Sequence, residues 1–493
     1  MSSDARPGRR SIEAAQRLSV APMIDVTDRH FRYLIRCISP LPVVYTEMTW
    51  DRAILYNTPG EREHQNGQKN VRPRSLESII GFSEVEHPIV LQLGGAETEP
   101  IYRAARVGAA RGYDEINLNC GCPAQVKGRS KNCYGARLMA EPDRVAACCL
   151  SMNRAVADAA AAGELPAFRN GIPPKVTVKC RLGVDNVDSY EELVHFVTSV
   201  SASGVTHFIV HARKAILGLN TVQNRSVPPL RRDWVYKLIS DFPSLTFTIN
   251  GAVGSLEEAH ELLERGAHGV MIGRKANSDP YNLFSRCGVL YNGEAGPSRR
   301  EVLDAYLLYC GKAEGANWEE TTIEGCARSL ITPLTGLFHC TAFGPKWRHA
   351  LTSLMQDRDA LLSGRGVPAL VREALAEVAV TDALLDDRPS IQLHRPLLPK
   401  RQRGYNVDGE NYAGNGGIEA GAAASTDGEA CCSGAQQLPK QQAWRRSGKG
   451  EDEMEAVLES EAAAADGAKL RLLMGGATVM LLCAAAWSAA RPR

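Results

Sequence analysis

Short apolar runs alternate with helix-length segments between Leu18 and Arg274. The runs are Leu18–Met23, Val43–Met48, Ile89–Gly94, Glu115–Cys120, Lys175–Arg181, His207–Arg213, Leu245–Gly251 and Gly269–Arg274. Each is short and rich in β-branched or apolar residues, the pattern of a strand covered on both faces, as parallel sheets require. Between them lie amphipathic stretches such as Ser189–Ser203 and Ser255–Arg265, the second opening with Ser255 and Glu258 at capping-box spacing. Eight such units in about 260 residues predict an α/β fold, a (β/α)8 TIM barrel over residues 18–290. A doubly wound sheet is the alternative, but it does not naturally use eight strands that all end in polar residues.

The flanking sequence changes character. Asn57–Ser75 is polar with Pro and Gly and reads as a long loop. Val156–Pro174 is Ala-rich, then Pro/Gly-rich, and reads as a lengthened connection before the fifth strand. Over 297–385 the pattern becomes helical (Glu301–Lys312, Thr322–Ile331, Trp347–Leu362, Pro368–Val378), predicting a separate small helical domain. Residues 386–468 carry Gly, Ala, Ser, Gln and charge with few large apolar side chains, the composition of a disordered linker. Leu472–Ala490 has no charge and would span about 28 Å as a helix. Lys469, Arg471, Arg491 and Arg493 bracket it, so a transmembrane tail anchor over 470–490 is expected, against an Ala-rich disordered end. The N-terminal extension, 1–17, holds Arg6, Arg9, Arg10 and Arg17 without the apolar run of a secretory signal. A plastid or mitochondrial transit sequence is the alternative, and Asp4 and Glu13 weaken it.

A chain of 493 residues leaves room for two or three domains, and 44% hydrophobic content supplies a substantial core. The formal net charge of +1 neither announces nor excludes a polyanion. Fourteen cysteines without a repeated CxxC pattern exclude a zinc ribbon and a small disulfide framework. Reduced thiols in a cytoplasmic compartment are expected. No metal site is indicated.

The most informative segment is Asn117-Leu118-Asn119-Cys120-Gly121-Cys122-Pro123, a strand run ending in a turn. It puts Asn119 and Cys122 at the C-terminal mouth of a strand, where barrel enzymes keep their chemistry. The other strand ends offer Pro22-Met23, Glu47, Gln92, Lys179 with Arg181, His211 with Arg213, Asn250-Gly251 and Gly273-Arg274. The loops after strands seven and eight are the usual phosphate site, and Gly251 and Gly273 allow close backbone approach. Arg274 adds a charge-assisted contact. Lys179 suits a ring edge that becomes anionic on reduction, and Gln92 has the donor and acceptor to read a pyrimidine-like edge. Singly each has a structural explanation: His211 as a satisfied core histidine, Asn250-Gly251 as a turn. Their recurrence at successive strand ends favours one site.

Ala21-Pro22-Met23, Tyr45-Thr46-Glu47-Met48, Leu91-Gln92-Leu93-Gly94-Gly95, the Asn117–Pro123 segment, Val178-Lys179-Cys180-Arg181, His211-Ala212-Arg213-Lys214 and Ile249-Asn250-Gly251 resemble the tRNA-dihydrouridine synthases. Arg181-Leu182-Gly183-Val184-Asp185, Asn224-Arg225, Pro228-Pro229-Leu230 and Gly336-Leu337-Phe338-His339 are similar to the bacterial-type A subgroup, also found in plants and algae. The resemblance covers about Leu18 to Leu362. It implies FMN on a (β/α)8 barrel, NADPH as reductant, a C-terminal helical domain that holds tRNA, and reduction of the uridine C5–C6 bond at D-loop positions 20 and 20a. It further implies FMN contacts at Pro22, Met23, Gln92, Lys179, His211, Asn250, Gly251, Ala252, Gly273 and Arg274. Cys122 matches the catalytic acid, and Asn119, Arg181 and Arg213 match residues around the uracil.

Hydride delivery to C6 leaves negative charge over C5 and O4, so a thiol above C5 acts as general acid, with Lys179 and Arg181 stabilising the oxyanion. Cys120 reads as a packing residue. A stacked uridine must be flipped into the mouth, with backbone contacts supplying the energy. Lys127, Arg129 and Lys131 adjoin Cys122 and are candidate RNA contacts, as are Lys214 and Arg225 on the rim. Lys346, Trp347 and Arg348 are further candidates. Thr332-Pro333-Leu334-Thr335 departs from the subgroup's Arg-His pair before Met-Leu-Gly-Leu, which bears on which uridine is reduced. Two other readings stand: an FMN-dependent small-molecule pyrimidine oxidoreductase of the dihydroorotate dehydrogenase kind, and a tRNA-binding scaffold without catalysis.

Overall fold

Eight parallel strands form where the apolar runs predict them. They are β1 (Leu18–Val20), β2 (Val44–Trp50), β3 (Ile89–Gly94), β4 (Glu115–Cys120), β5 (Lys175–Cys180), β6 (His207–His211), β7 (Thr246–Asn250) and β8 (Gly269–Ile272). This computed structural model describes residues 12–59, 75–123, 135–291, 293–314 and 322–390. The strand order is β1-β8-β7-β6-β5-β4-β3-β2. Closure comes from β1 meeting the start of β2: Val20 N donates to Val43 O at 2.8 Å and Val43 N to Leu18 O at 2.9 Å. The result is a (β/α)8 barrel.

Alternation along each strand divides the apolar side chains between two clusters. Val20, Leu91, Ile116, Leu118, Cys120, Phe208 and Ile249 join the large core under the surrounding helices. Tyr45, Val90, Ile209 and Met271 meet inside the barrel with Ile12 and Ala15 of a short helix, Ile12–Ala15, which plugs the barrel's base. The folded barrel therefore takes in residues ahead of Leu18. Gly269 is needed there: a Cβ would lie 2.1 Å from Gln16 O. Cys120 is fully buried, as packing predicts.

Several helices carry the expected punctuation. Ser189 and Glu192 form a complete capping box at Tyr190–Ser201. At Leu256–Glu264 only half of the box forms. Ser255 accepts from Glu258 N, while the Glu258 carboxylate takes Gly254 N and Arg232 instead. In the lengthened connection before β5, the Ala-rich part is the end of a helix, Pro142–Ala161. The predicted helix Trp347–Leu362 is two helices, Gly344–Gln356 and Arg358–Leu362, because Asp357 leaves helical geometry and caps the second.

The helical region leans on the barrel. Tyr309 of Arg299–Ala313 stacks on Tyr33 of the barrel helix Arg29–Ile38 at 3.8 Å, and its hydroxyl lies 2.7 Å from His30 Nδ1. Among the described residues no helix is long and apolar enough to cross a membrane. The Leu472–Ala490 run lies outside the described residues, as do Arg6, Arg9 and Arg10, most of the 57–75 loop and all of 391–468.

Candidate active site

The C-terminal ends of the strands surround a cavity of ≈ 1040 Å³. Its lining includes Pro22, Met23, Gln92, Asn119, Cys122, Lys179, Arg181, His211, Arg225, Asn250, Gly251, Ala252, Gly273 and Arg274. Of the strand-end residues singled out in the sequence, Glu47, Arg213 and Lys214 do not line it. Glu47 is displaced by a bulge in β2: Tyr45 pairs with Val90 but Met48 pairs with Gln92, so β2 spends one residue more than β3. Met48 consequently faces the cavity, and Glu47 accepts from Asp25 N at 2.5 Å. Lys214 is held by Asp188 and by Asp185 O. Lys127, Arg129 and Lys131 lie outside the described residues.

The turn carrying Cys122 is fastened on three sides. Asn119 Oδ1 accepts from Gly121 N and Cys122 N, both at 3.0 Å. Arg181 Nε donates to Gly121 O at 2.8 Å, and Ala136 N donates to Cys122 O at 2.8 Å. Gly135 follows from the last contact, since a Cβ there would sit 2.4 Å from Cys122 O. The thiol is half-buried at the cavity wall. Arg181 spends more of its guanidinium on the scaffold than the sequence suggests, donating also to Lys214 O and Asn224 O at 3.1 Å. Burial, with Arg213 and Arg225 nearby, lowers it to about 10.

Lys179 on β5, in register with Asn119, and His211 at the end of β6 also line the cavity. Lys179 Nζ donates to Asn250 Oδ1 at 3.3 Å, and Asn250 Nδ2 in turn donates to Met271 O at 2.8 Å. Burial, reinforced by Arg181, lowers the ammonium to about 8. His211 is driven well below its ordinary value by burial and by the cations Arg181 and Lys179, so its imidazole is neutral.

Beyond β7 and β8 the site is cationic, and among the described residues no carboxylate pairs with Arg213, Arg225 or Arg274. Burial and then Arg274 lower both Arg213 and Arg225. The Nε atoms of both are buried without a hydrogen-bond partner among the described residues. Arg213 instead donates to Pro228 O. The backbone between them is shaped for close approach: Gly251 has φ +124°, where a Cβ would lie 2.9 Å from His211 Cδ2, and Ala252 has φ +54°. Arg232 braces this loop, donating to Gly251 O at 2.9 Å and pairing with Glu258 at 2.7 Å. Such a cradle fits a phosphate-bearing ligand. Arg232, Glu258 and Met48 were missed in the sequence; Glu258 was seen only as a helix cap.

Three sequence candidates, Lys346, Trp347 and Arg348, lie in the helical region instead. Trp347 is fully buried, donates Nε1–H to Leu334 O at 2.8 Å and packs edge-on against Phe338. It is a core residue of the helical region and cannot meet RNA, because the Thr332–Gly336 turn covers it. Its neighbours Lys346 and Arg348 are exposed.

A closed parallel barrel whose mouth joins a tethered thiol, a buried lysine and arginines without an ion-pair partner among the described residues defines a (β/α)8 enzyme. Residues 19–314 match the dihydrouridine synthase (Dus) family, and the chain belongs to that family. Its relatives include a Synechocystis sp. protein, 39% identical over 362 residues (73% of this chain, 93% of the relative). Another, from Shewanella oneidensis, is 38% identical over 68% of this chain and 87% of its own. A third, from Xylella fastidiosa, is 40% identical over 70% and 89%. All three are named tRNA-dihydrouridine(20/20a) synthase. Among solved structures, morphinone reductase aligns at 12% identity over 58% of this chain and 88% of its own, with a TM-score of 0.35, too loose a superposition to bear on the site.

Proposed function

We propose that this chain reduces uridine to 5,6-dihydrouridine at positions 20 and 20a of the tRNA D-loop, with FMN as its flavin and NADPH as the reductant. The observation that carries the reading is the convergence of Cys122, Gln92, Asn119, Lys179 and His211 on one cavity, beside Arg213 and Arg225, whose buried Nε atoms lack a hydrogen-bond partner among the described residues. Its ≈ 1040 Å³ lies just above the roughly 300–1,000 Å³ of small-ligand sites, which suits a cofactor and a flipped base together. Family membership favours this reading over a free-pyrimidine oxidoreductase and over an inert scaffold. The names of the relatives support positions 20 and 20a.

Gly251, Ala252, Gly273, Arg225 and Arg274 would hold the FMN phosphate, and Pro22, Met23 and Asn250 would border the ring. Bound flavin supplies a hydride. Lys179 would supply a cation to the ring edge that becomes anionic on reduction, and a neutral His211 would add no competing charge. Gln92 gives one N–H to Asn117 and one oxygen lone pair to Asn119, keeping its second N–H and lone pair for a ligand edge. Cys122 donates the proton to uracil C5, and Lys179 and Arg181 stabilise the oxyanion that precedes it. Arg213, Lys214, Lys127, Arg129 and Lys131, with Lys346 and Arg348, are the proposed RNA-facing cations. Buried thiols without disulfides among the described residues suit a reducing compartment that holds tRNA, such as the cytoplasm.

The test follows NADPH-dependent reduction of the holoprotein's flavin, its reoxidation by unmodified tRNA transcript, and the position of each dihydrouridine formed. Cys122→Ala should retain flavin and lose about 10²–10⁴ in reoxidation rate. Reduced flavin that ignores every tRNA but is reoxidised by a free pyrimidine would overturn the proposal.

A further inference from the structure

Strand β4 carries polar side chains where a barrel-core strand ordinarily carries apolar ones. Glu115, Asn117 and Asn119 alternate with Ile116, Leu118 and Cys120, and the polar set turns into the barrel. Glu115 and Asn117 are fully buried, Thr177 and Gln92 are 1% exposed, and Asn119 is 8% exposed. Burying so many polar groups carries a cost unless each is satisfied.

They satisfy one another in a single file. Thr177 Oγ1 donates to Glu115 Oε1 at 2.6 Å, and Asn117 Nδ2 donates to Thr177 Oγ1 at 2.9 Å. Gln92 Nε2 donates to Asn117 Oδ1 at 2.8 Å, and Asn119 Nδ2 donates to Gln92 Oε1 at 2.8 Å. Asn119 Oδ1 then accepts from the Gly121 and Cys122 amides at 3.0 Å. From Glu115 to Asn119 the file runs four strand steps of about 3.3 Å, about 13 Å along β4.

Both ends of the file have one possible role. An ionised carboxylate only accepts and a backbone N–H only donates. The four side chains between can therefore satisfy both ends only by donating toward Glu115 and accepting from the Cys122 turn. Any amide turned the other way sets donor against donor or acceptor against acceptor. Tyr45 at 3.2 Å and Gln16 Nε2 at 2.8 Å also donate to Glu115, so every group that bonds it from β2, β5 and the base plug presents a hydrogen. Lys175 at the start of β5 adds a favourable charge.

We propose that Glu115 is a positioning residue: through Thr177 and Asn117 it sets the amide orientation of Gln92 and Asn119, and so holds the Cys122 turn and the Gln92 edge in working register. Its catalytic consequence rests on the function proposed above, whereas the orientation it imposes does not. Thr177→Val breaks the file with a side chain of the same shape, Thr177→Ser restores the hydroxyl, and Glu115→Gln removes the acceptor-only anchor.

The test is run on flavin-loaded protein at about pH 8, above the value of about 7 to which burial pushes Glu115. Amide exchange of the peptide spanning Asn117–Pro123 is compared with single-turnover reoxidation at varied tRNA concentration. Thr177→Val and Glu115→Gln should speed exchange of the Gly121 and Cys122 amides about three- to tenfold while the rest of the barrel stays protected. They should lower the saturating rate about tenfold with little change in half-saturating tRNA. Thr177→Ser should behave as the parent. Unchanged exchange in Thr177→Val overturns the proposal, as does loss of protection without loss of rate, or Thr177→Ser failing like Val. If the parent itself leaves tRNA unreduced, the functional reading has failed and the exchange comparison alone decides the positioning role.

Discussion

Lys179 shows how much one side chain's surroundings decide. Burial and Arg181 bring its ammonium down to about 8. It is a full cation below that pH and loses charge above it. Flavin affinity of the apoprotein should therefore fall from about pH 7 to about pH 9, with the pH dependence abolished in Lys179→Met, as read by flavin fluorescence quenching. Gly251 makes a second prediction. With φ at +124° and a Cβ position 2.9 Å from His211 Cδ2, Gly251→Ala should cost about 1–3 kcal/mol of local strain and purify with depleted flavin absorbance. Cys122, Lys179 and His211 were legible as candidates because polar residues at successive strand ends are informative. Arg181's service to three carbonyls was not legible, since its partners lie in loops far apart in sequence.

At the scale of the element, the strands followed from composition, while bulges and helix breaks did not. The one-residue bulge in β2 reverses which of Glu47 and Met48 faces the cavity, and no local signal marks it. Asp357 is a good N-cap residue inside an otherwise helical pattern, so it was a readable signal for the break. The polar alternation in β4 was also readable, and marks Glu115 and Asn117 as interior. The contact between Arg299–Ala313 and Arg29–Ile38 supplies a stability test. Tyr309→Phe removes the hydroxyl that meets His30 Nδ1 and should cost about 1 kcal/mol in urea unfolding, with the stacking on Tyr33 retained.

For the whole molecule, two buried groups oppose each other as pH changes. Burial raises Glu115 from 4.5 to about 7, so the folded state holds a proton that the unfolded chain releases. That contribution is fully present below pH 4.5 and is lost as pH rises through about 7. Burial, with His268 next, lowers His207 from 6.5 to about 3, so its contribution is present above 6.5 and lost as pH falls toward 3. Between 4.5 and 6.5 the two offset. Glu115→Gln should therefore expose the acid loss, falling behind the parent by up to about 3 kcal/mol between about pH 7.5 and pH 4.5 in urea titrations. Binding of tRNA is a property of the assembled surface. Its logarithmic affinity should fall steeply with salt, and each phosphate-contacting cation removed among Arg213, Lys346 and Arg348 should reduce that slope by nearly one.

The sequence by itself determined the eight strands, their parallel order within a barrel, and the residues at their C-terminal ends. Parallel strands buried on both faces need apolar runs, and polar residues at the ends of such runs stand out against them. Only the tertiary structure decided which of those residues share one cavity, that Trp347 is core, and that Lys214 is engaged by Asp188. It alone brought Glu115 and Cys122 into one file of hydrogen bonds. The reason is physical: local pattern reports burial, whereas partnership depends on register between strands and on loops that meet only after the barrel closes.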